Sequence, residues 1–282
     1  MEIVSTAEAL REHLSDWRHD GEHIALVPTM GNLHEGHLSL VKAAREHAER
    51  VVVSIFVNPT QFAEGEDLEE YPRTLERDKR QLIRANTDLI FVPDVDTMYP
   101  FGIDNATSVT VPTLTDDLCG TFRPGHFDGV TTIVTRLFGL VQPDVAVFGQ
   151  KDYQQQVVIR RMVADLSLPV EIVIVPTVRE EDGLAKSSRN QYLSEDERAT
   201  APVLYAVLEE VGKEIRDGRT DFEALESKAL AKLAEAGFEA EYVSIRNASD
   251  LSEPDRESGE LVVLGSAWLG KARLIDNLLV EI

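Results

Sequence analysis

Apolar residues fall along this chain in short dense runs, separated by longer stretches where they recur every three or four positions. Ile24 to Val27, Val51 to Val57, Asp88 to Pro93, Asp144 to Phe148 and Val170 to Val175 are short and mostly rich in β-branched residues, so they predict buried strands. Helical spacing between them marks residues 6–19, with Ala9, Leu10, Leu14 and Trp17 on the apolar side. It also marks residues 37–50, with Leu38, Leu40, Val41, Ala44 and Ala48. Further helices are predicted over Thr74 to Ala85, Val130 to Val141 and from about Asp152. Strand, helix and strand within about thirty residues form a right-handed βαβ unit with parallel strands. Pro28 has no backbone N–H and is expected to end the first strand.

Three stretches interrupt this rhythm. Glu64 to Arg73 is acidic and turn-like, residues 94–115 carry short β-like runs such as Ser108 to Val111, and Asp116 to Gly129 is rich in glycine and polar groups. The last predicts a mobile loop over the ligand-binding edge of the sheet. From about residue 177 the order changes to helices over Ser194 to Asp217 and Asp221 to Ala236, followed by β-like segments at 239–247, 260–268 and 271–281. That shift predicts an α/β domain with a parallel sheet over residues 1–176 and a smaller α+β domain over residues 177–282.

Composition narrows the function. The chain has 282 residues, 43% of them hydrophobic, enough to bury one large or two modest cores. Its 50 acidic against 28 basic residues give a formal charge of −22, which opposes nonspecific binding to nucleic acid or anionic membranes. One cysteine, Cys119, excludes an intramolecular disulfide and a multi-cysteine metal site, and a free thiol fits a reducing compartment. The amino terminus has no signal-like pattern and no stretch approaches the roughly twenty apolar residues that span a bilayer. A soluble cytoplasmic protein is expected.

Chemistry concentrates at the strand ends. After the first strand comes Pro28-Thr29-Met30-Gly31-Asn32-Leu33-His34-Glu35-Gly36-His37, a glycine-punctuated turn into a helix whose first N–H groups and dipole suit a phosphate. His34 and His37 can face one point there and stabilise charge during phosphoryl or nucleotidyl transfer. The second strand ends in Asn58-Pro59-Thr60-Gln61-Phe62, two amides at the edge where ligands bind open α/β sheets. Arg123 suits a substrate carboxylate or, equally, a surface acid. The strand at 144–148 repeats the opening arrangement with Gly149-Gln150-Lys151-Asp152. Lys151 supplies charge for phosphate, Asp152 can help hold magnesium, and Gln155 shares the face of Lys151. The hydroxyls and cations of Lys186-Ser187-Ser188-Arg189-Asn190 suit a triphosphate, with Arg189 countering charge as pyrophosphate leaves.

Those four segments, with Phe148-Gly149-Gln150-Lys151-Asp152-Tyr153-Gln154-Gln155 as the third, closely resemble the pantothenate synthetase (pantoate–β-alanine ligase) family. The likeness runs in order over nearly the whole chain. It implies a Rossmann-like domain of the nucleotidyltransferase superfamily, a smaller carboxyl-terminal lid and a homodimer. It also implies a reaction in which ATP adenylates pantoate and β-alanine then displaces AMP. The resemblance places ATP on Met30, Gly31, Asn32, Leu33, His34, Glu35, Gly36 and His37, on Gly149, Gln150, Lys151 and Asp152, and on Val178, Lys186, Ser187, Ser188 and Arg189. Magnesium accompanies the phosphates, with Asp152 as its candidate ligand. His37 is the family's proton donor, Gln61 contacts both pantoate and β-alanine, and Gln155 and Asn58 hold pantoate. Lys186 departs from the family, which often has an apolar residue there. Another nucleotidyltransferase with a different acceptor, or a noncatalytic nucleotide- or RNA-binding module, remains an alternative; a nicotinamide oxidoreductase is disfavoured because no Gly-x-Gly-x-x-Gly follows the first strand.

Overall fold

The computed structural model describes residues 1–63, 65–255 and 258–281. The dense apolar runs form strands, and those at the centre of the sheet are enclosed from both faces, as a parallel sheet requires. Ala25, Leu26 and Val27, and beside them Val51, Val52 and Val53, have no exposed surface. In chain order this part comprises β1 (Glu2–Val4), α1 (Ala7–His19), β2 (Ile24–Thr29), α2 (Glu35–His47), β3 (Arg50–Ile55), α3 (Leu75–Arg84) and β4 (Leu89–Phe91). It continues through α4 (Val95–Met98), α5 (Cys119–Phe122), α6 (His126–Val141), β5 (Val145–Gly149), α7 (Tyr153–Asp165) and β6 (Glu171–Val175).

All six strands run parallel in the order β1-β4-β3-β2-β5-β6. The chain steps outward from β2 to β4, then returns to add β5 and β6 on the other side of β2. The carboxyl ends of β2 and β5 therefore flank a topological switch point, where such sheets bind ligands. Leu10, Leu14, Phe138 and Ile159 cover one face through α1, α6 and α7. Leu40, Val41, Ala44 and Leu82 cover the other through α2 and α3.

Pro28 does not end β2, which runs on to Thr29 paired with Ile55. What stops near it is the ladder to β5, which pairs only Ala25 with Val145 and Leu26 with Ala146. The Asp144 N–H donates to the Ile24 carbonyl, so even-numbered residues of β2 point towards β5. Pro28 shares that parity and has no N–H to offer, so the two strands part there.

Other expectations change for equally local reasons. β1 escapes sequence reading because three residues carry no period. Ser108 to Val111 is no strand: the Thr132 hydroxyl accepts from the Val109 N–H at 2.9 Å, and the Thr131 hydroxyl donates to the Val109 carbonyl, so α6 takes the place of a neighbouring strand. The stretch Asp116 to Gly129 is built as α5 and the first turn of α6 rather than as a free loop. Gln154 anchors it by donating to the Leu114 and Asp117 carbonyls and accepting from the Cys119 N–H. Of the acidic turn 64–73, Glu64 lies outside the described residues.

The remaining chain forms α8 (Glu195–Thr200), α9 (Val203–Arg216), α10 (Phe222–Glu235), β7 (Glu239–Asn247), β8 (Glu260–Leu269) and β9 (Ala272–Glu281). The helix expected over 194–217 breaks at Pro202, which cannot donate to the preceding turn. β7, β8 and β9 form an antiparallel meander, with Leu204, Leu208, Val211, Leu225 and Leu233 packed on Val243, Ile245, Leu261 and Val263. Among the described residues no helix is long and apolar enough to cross a membrane.

Candidate active site

The turn from β2 into α2 is held from behind by an acid that sequence reading left inside a helix. Gly31 and Asn32 have φ of 82° and 49°, and a Cβ at Gly31 would lie 3.1 Å from Ile55 and 3.2 Å from Asp78. This strained path turns the Asn32 and Leu33 N–H groups onto the buried Asp78 carboxylate at 3.0 and 2.9 Å, which also accepts from the Thr74 hydroxyl. Asp78 was legible only as an acid in the first turn of α3.

His34 caps α2. Its Nδ1 accepts from the Gly36 N–H at 3.1 Å, while His37 Nδ1 accepts from the His34 N–H at 3.3 Å, a reciprocal capping box. Gly36 is required there, since a Cβ would come within 2.8 Å of the His34 ring. Both Nδ1 atoms are acceptors, so each neutral imidazole carries its proton on Nε2. Burial, with Lys151 adding repulsion, lowers the His34 pKa to about 4. Burial and then His34 lower that of His37 to about 3. Near pH 7 the site has two neutral N–H donors, their ring centroids 4.1 Å apart.

Across the switch point, the β5–α7 turn presents Lys151 and Asp152. Among the described residues neither forms an ion pair, and Asp152 makes no side-chain capping bond although it occupies the cap position of α7. Gln155 lies one turn further on the same wall. Gln150 turns away, its Nε2 donating to Asn277 at 3.1 Å.

The two amides after β3 have different standing. Asn58 is 1% exposed, and all its hydrogen-bonding capacity is used inside the protein. Its Nδ2 donates to the Gly129 carbonyl and Gln61 Oε1, and its Oδ1 accepts from the Tyr99 and Thr60 hydroxyls. It therefore orients Gln61, whose Nε2 points at Met30 Sδ at 3.1 Å with one N–H to spare. Arg123 is similarly committed. It grips Glu66 with two bonds of 2.6 Å, donates to the Gln61 carbonyl at 3.3 Å and meets His126 Nε2 at 3.0 Å. A guanidinium can only donate, so His126 Nε2 accepts and its Nδ1–H donates to the Gln61 carbonyl at 2.7 Å. Burial lowers the His126 pKa to about 4 and keeps that arrangement neutral.

The third wall comes from residues 176–189. Lys186 pairs with Glu35 at 2.5 Å and Glu180 at 3.1 Å, and Arg189 pairs with Asp67 at 3.0 Å. Ser187 caps the Ser188–Tyr192 turn by accepting from the Arg189 N–H, and the Ser188 hydroxyl donates to the Asn32 carbonyl at 3.2 Å.

These walls enclose a cavity of about 250 Å³. Met30, His34, Gly36, His37, Asn58, Gln61, Gly149, Lys151, Asp152, Gln155, Val178, Lys186, Ser187, Ser188 and Arg189 line it. Gly31, Asn32, Leu33, Glu35 and Gln150 do not: the first three turn into the protein, Glu35 is exposed against Lys186, and Gln150 bonds Asn277. Sequence reading missed the apolar end formed by Val130, Ile133, Val134, Leu137 and Phe148, and it missed His126. The four from α6 show in sequence only as its apolar face, and Phe148 only as the end of a strand run.

A parallel sheet with two imidazole N–H donors and, among the described residues, an unpaired cation at its switch point places the molecule among the Rossmann-like, nucleotide-using enzymes. The chain belongs, more narrowly, to the pantoate–β-alanine ligase family, whose model matches residues 2–279. It is a ligase of that kind. A pantothenate synthetase of Stutzerimonas stutzeri (strain A1501) is 54% identical over 282 residues, covering 100% of this chain and 99% of the relative. The pantothenate synthetase structure from Thermus thermophilus superposes with a TM-score of 0.92 at 48% identity, covering 99% of both chains. The Francisella tularensis pantoate–β-alanine ligase, solved with beta-gamma ATP and beta-alanine, gives 0.79 at 32% identity over 99% of this chain and 97% of that one.

Proposed function

We propose that this enzyme condenses pantoate with β-alanine at the expense of ATP through a pantoyl adenylate. A pantoate carboxylate oxygen attacks the α-phosphorus, the bond to the bridging β-oxygen breaks and pyrophosphate leaves. The free amine of β-alanine then forms the amide bond at the acyl carbon, AMP departs with the C–O electron pair, and the surplus proton passes to solvent. The observation that carries this is the convergence of two neutral Nε2–H donors and the Lys151 ammonium on one cavity, whose other end is apolar. The donors and cation suit phosphate oxygens whose charge grows as pyrophosphate leaves. The apolar end suits the two methyl groups of pantoate.

In this reading Met30, His34, Gly36, His37, Gly149, Lys151, Val178 and Ser187 to Arg189 surround the nucleotide. Gln61 and Gln155 hold pantoate, with Asn58 acting through Gln61, and Gln61 also meets β-alanine. His34 and His37 act as hydrogen-bond donors. Asp152 is the only carboxylate on the cavity wall among the described residues, and no group of three or more candidate metal ligands occurs among them. That donor set fits magnesium held by one carboxylate and substrate phosphates, screening their charge.

We assign residues 1–176 to the nucleotide- and pantoate-binding domain and residues 177–282 to a smaller lid domain, a division supported by the change from parallel to antiparallel sheet. A homodimer is expected from the family, and the lone free Cys119 supports a cytoplasmic location. Pantoate-dependent ATP–pyrophosphate exchange without β-alanine tests the adenylation. Exchange is expected only when pantoate is present; ATP binding without exchange would overturn the adenylate route.

A further inference from the structure

The phosphate-facing turns are themselves held by two consecutive residues of β9. Asn277 is 2% exposed. Its Nδ2 donates to the Gln150 and Lys151 carbonyls, both at 3.0 Å, and its Oδ1 accepts from Gln150 Nε2 at 3.1 Å. Two carbonyl acceptors fix which end of this amide is nitrogen, since a carbonyl cannot donate. Asp276, 4% exposed, grips Arg179 at 2.6 and 2.8 Å and accepts the Asn277 N–H at 2.8 Å. Arg179 donates to the Gly183 carbonyl, bridges to Ala185 and lies 3.4 Å over the Tyr205 ring. The next residue, Lys186, donates its N–H to Val178 at 2.9 Å. A continuous polar chain thus runs from the Lys151 turn, through β9, to the start of the Ser187–Arg189 turn.

We propose that Asp276 and Asn277 are positioning residues for nucleotide activation, setting the placement of Lys151 relative to the Ser187–Arg189 turn. The inference rests on the assignment of those two segments to the nucleotide. Neither β9 residue lines the cavity; Asn277 acts through backbone carbonyls and Asp276 through Arg179. Apolar replacements would fill the same volume but leave the Gln150 and Lys151 carbonyls without their buried donor.

Asn277→Asp is nearly isosteric and turns an oxygen towards two carbonyl oxygens. Pantoate-dependent ATP–pyrophosphate exchange in the full chain should fall about 10–100-fold with a raised KM for ATP, as the loss of buried donors implies. Pantoate binding by calorimetry should stay within about twofold, and Asp276→Asn should show the same pattern at about 3–10-fold. Val280→Ala, a core position of the same strand, should lower Tm while leaving both kinetic parameters unchanged. If Asn277→Asp does not fold, Asn277→Ser carries the same comparison. Exchange within about twofold of wild type in the folded variants, or an equal loss in Val280→Ala, would overturn the proposal. Normal exchange in Lys151→Ala would instead remove the nucleotide assignment on which it rests.

Discussion

The two polar walls of the cavity hold their charged groups in opposite ways. At the ends of β2 and β5 the polar groups stand unengaged by acids: the capping box sets the two histidine tautomers, and Lys151 projects with no acid bound to it among the described residues. On the 176–189 wall the cations are engaged elsewhere, Lys186 with Glu35 and Glu180, Arg189 with Asp67. On the proposed reading the first wall would meet a phosphate as built, whereas the second would exchange a carboxylate for it. An acidic protein can thereby keep basic residues at its site without a standing positive field.

Substitutions that break the prebuilt wall should have the largest effects. Lys151→Ala should lower exchange by about 10²–10³-fold, the scale for losing one transition-state charge stabiliser, with Tm unchanged. His37→Ala should lose somewhat less, about 10²-fold, because it removes a neutral donor; near wild-type turnover would take His37 out of the mechanism. Gln61→Ala should raise the Kd for pantoate about tenfold, the scale of one hydrogen bond, while calorimetry finds ATP binding preserved.

The histidines also predict a pH signature. Their folded pKa values lie near 4 and 3, below the ordinary histidine value of 6.5, so the unfolded chain binds more protons between those limits. Their contribution to stability is present above about pH 6.5 and is lost as pH falls towards 4 and then 3. Urea titrations should find a flatter acid limb in His34→Asn/His37→Asn than in wild type. The smallest effect belongs to the masked wall. Asp67→Asn should lower the KM for ATP by no more than about fivefold, since a partly exposed pair contributes about 0–1 kcal/mol. A rise in KM would show that Asp67 helps the nucleotide instead of competing for Arg189.

Much of this was legible because it is local. β-Branched runs, the glycine-spaced histidine turn and its repeat after β5 each announce themselves within about ten residues. What stayed hidden depends on partners far along the chain. Nothing near Asp78 shows that it holds the turn at Asn32, and nothing near Asn58 shows that its amide is exhausted by Gly129, Tyr99 and Thr60. In sequence Arg123 suits a substrate carboxylate and a surface acid equally, and only the third dimension supplies Glu66. Asp276 and Asn277 carry no motif, and they lie more than a hundred residues from the Lys151 turn that Asn277 holds.

The missing N–H of Pro28 acts as a zipper stop on the seam between β2 and β5. Because the ladder has no donor to offer past that point, the two strands part there and the cleft between their carboxyl ends is set by the backbone itself. An opening at that place needs no movement of the sheet, which leaves motion to the surrounding turns and to the smaller domain.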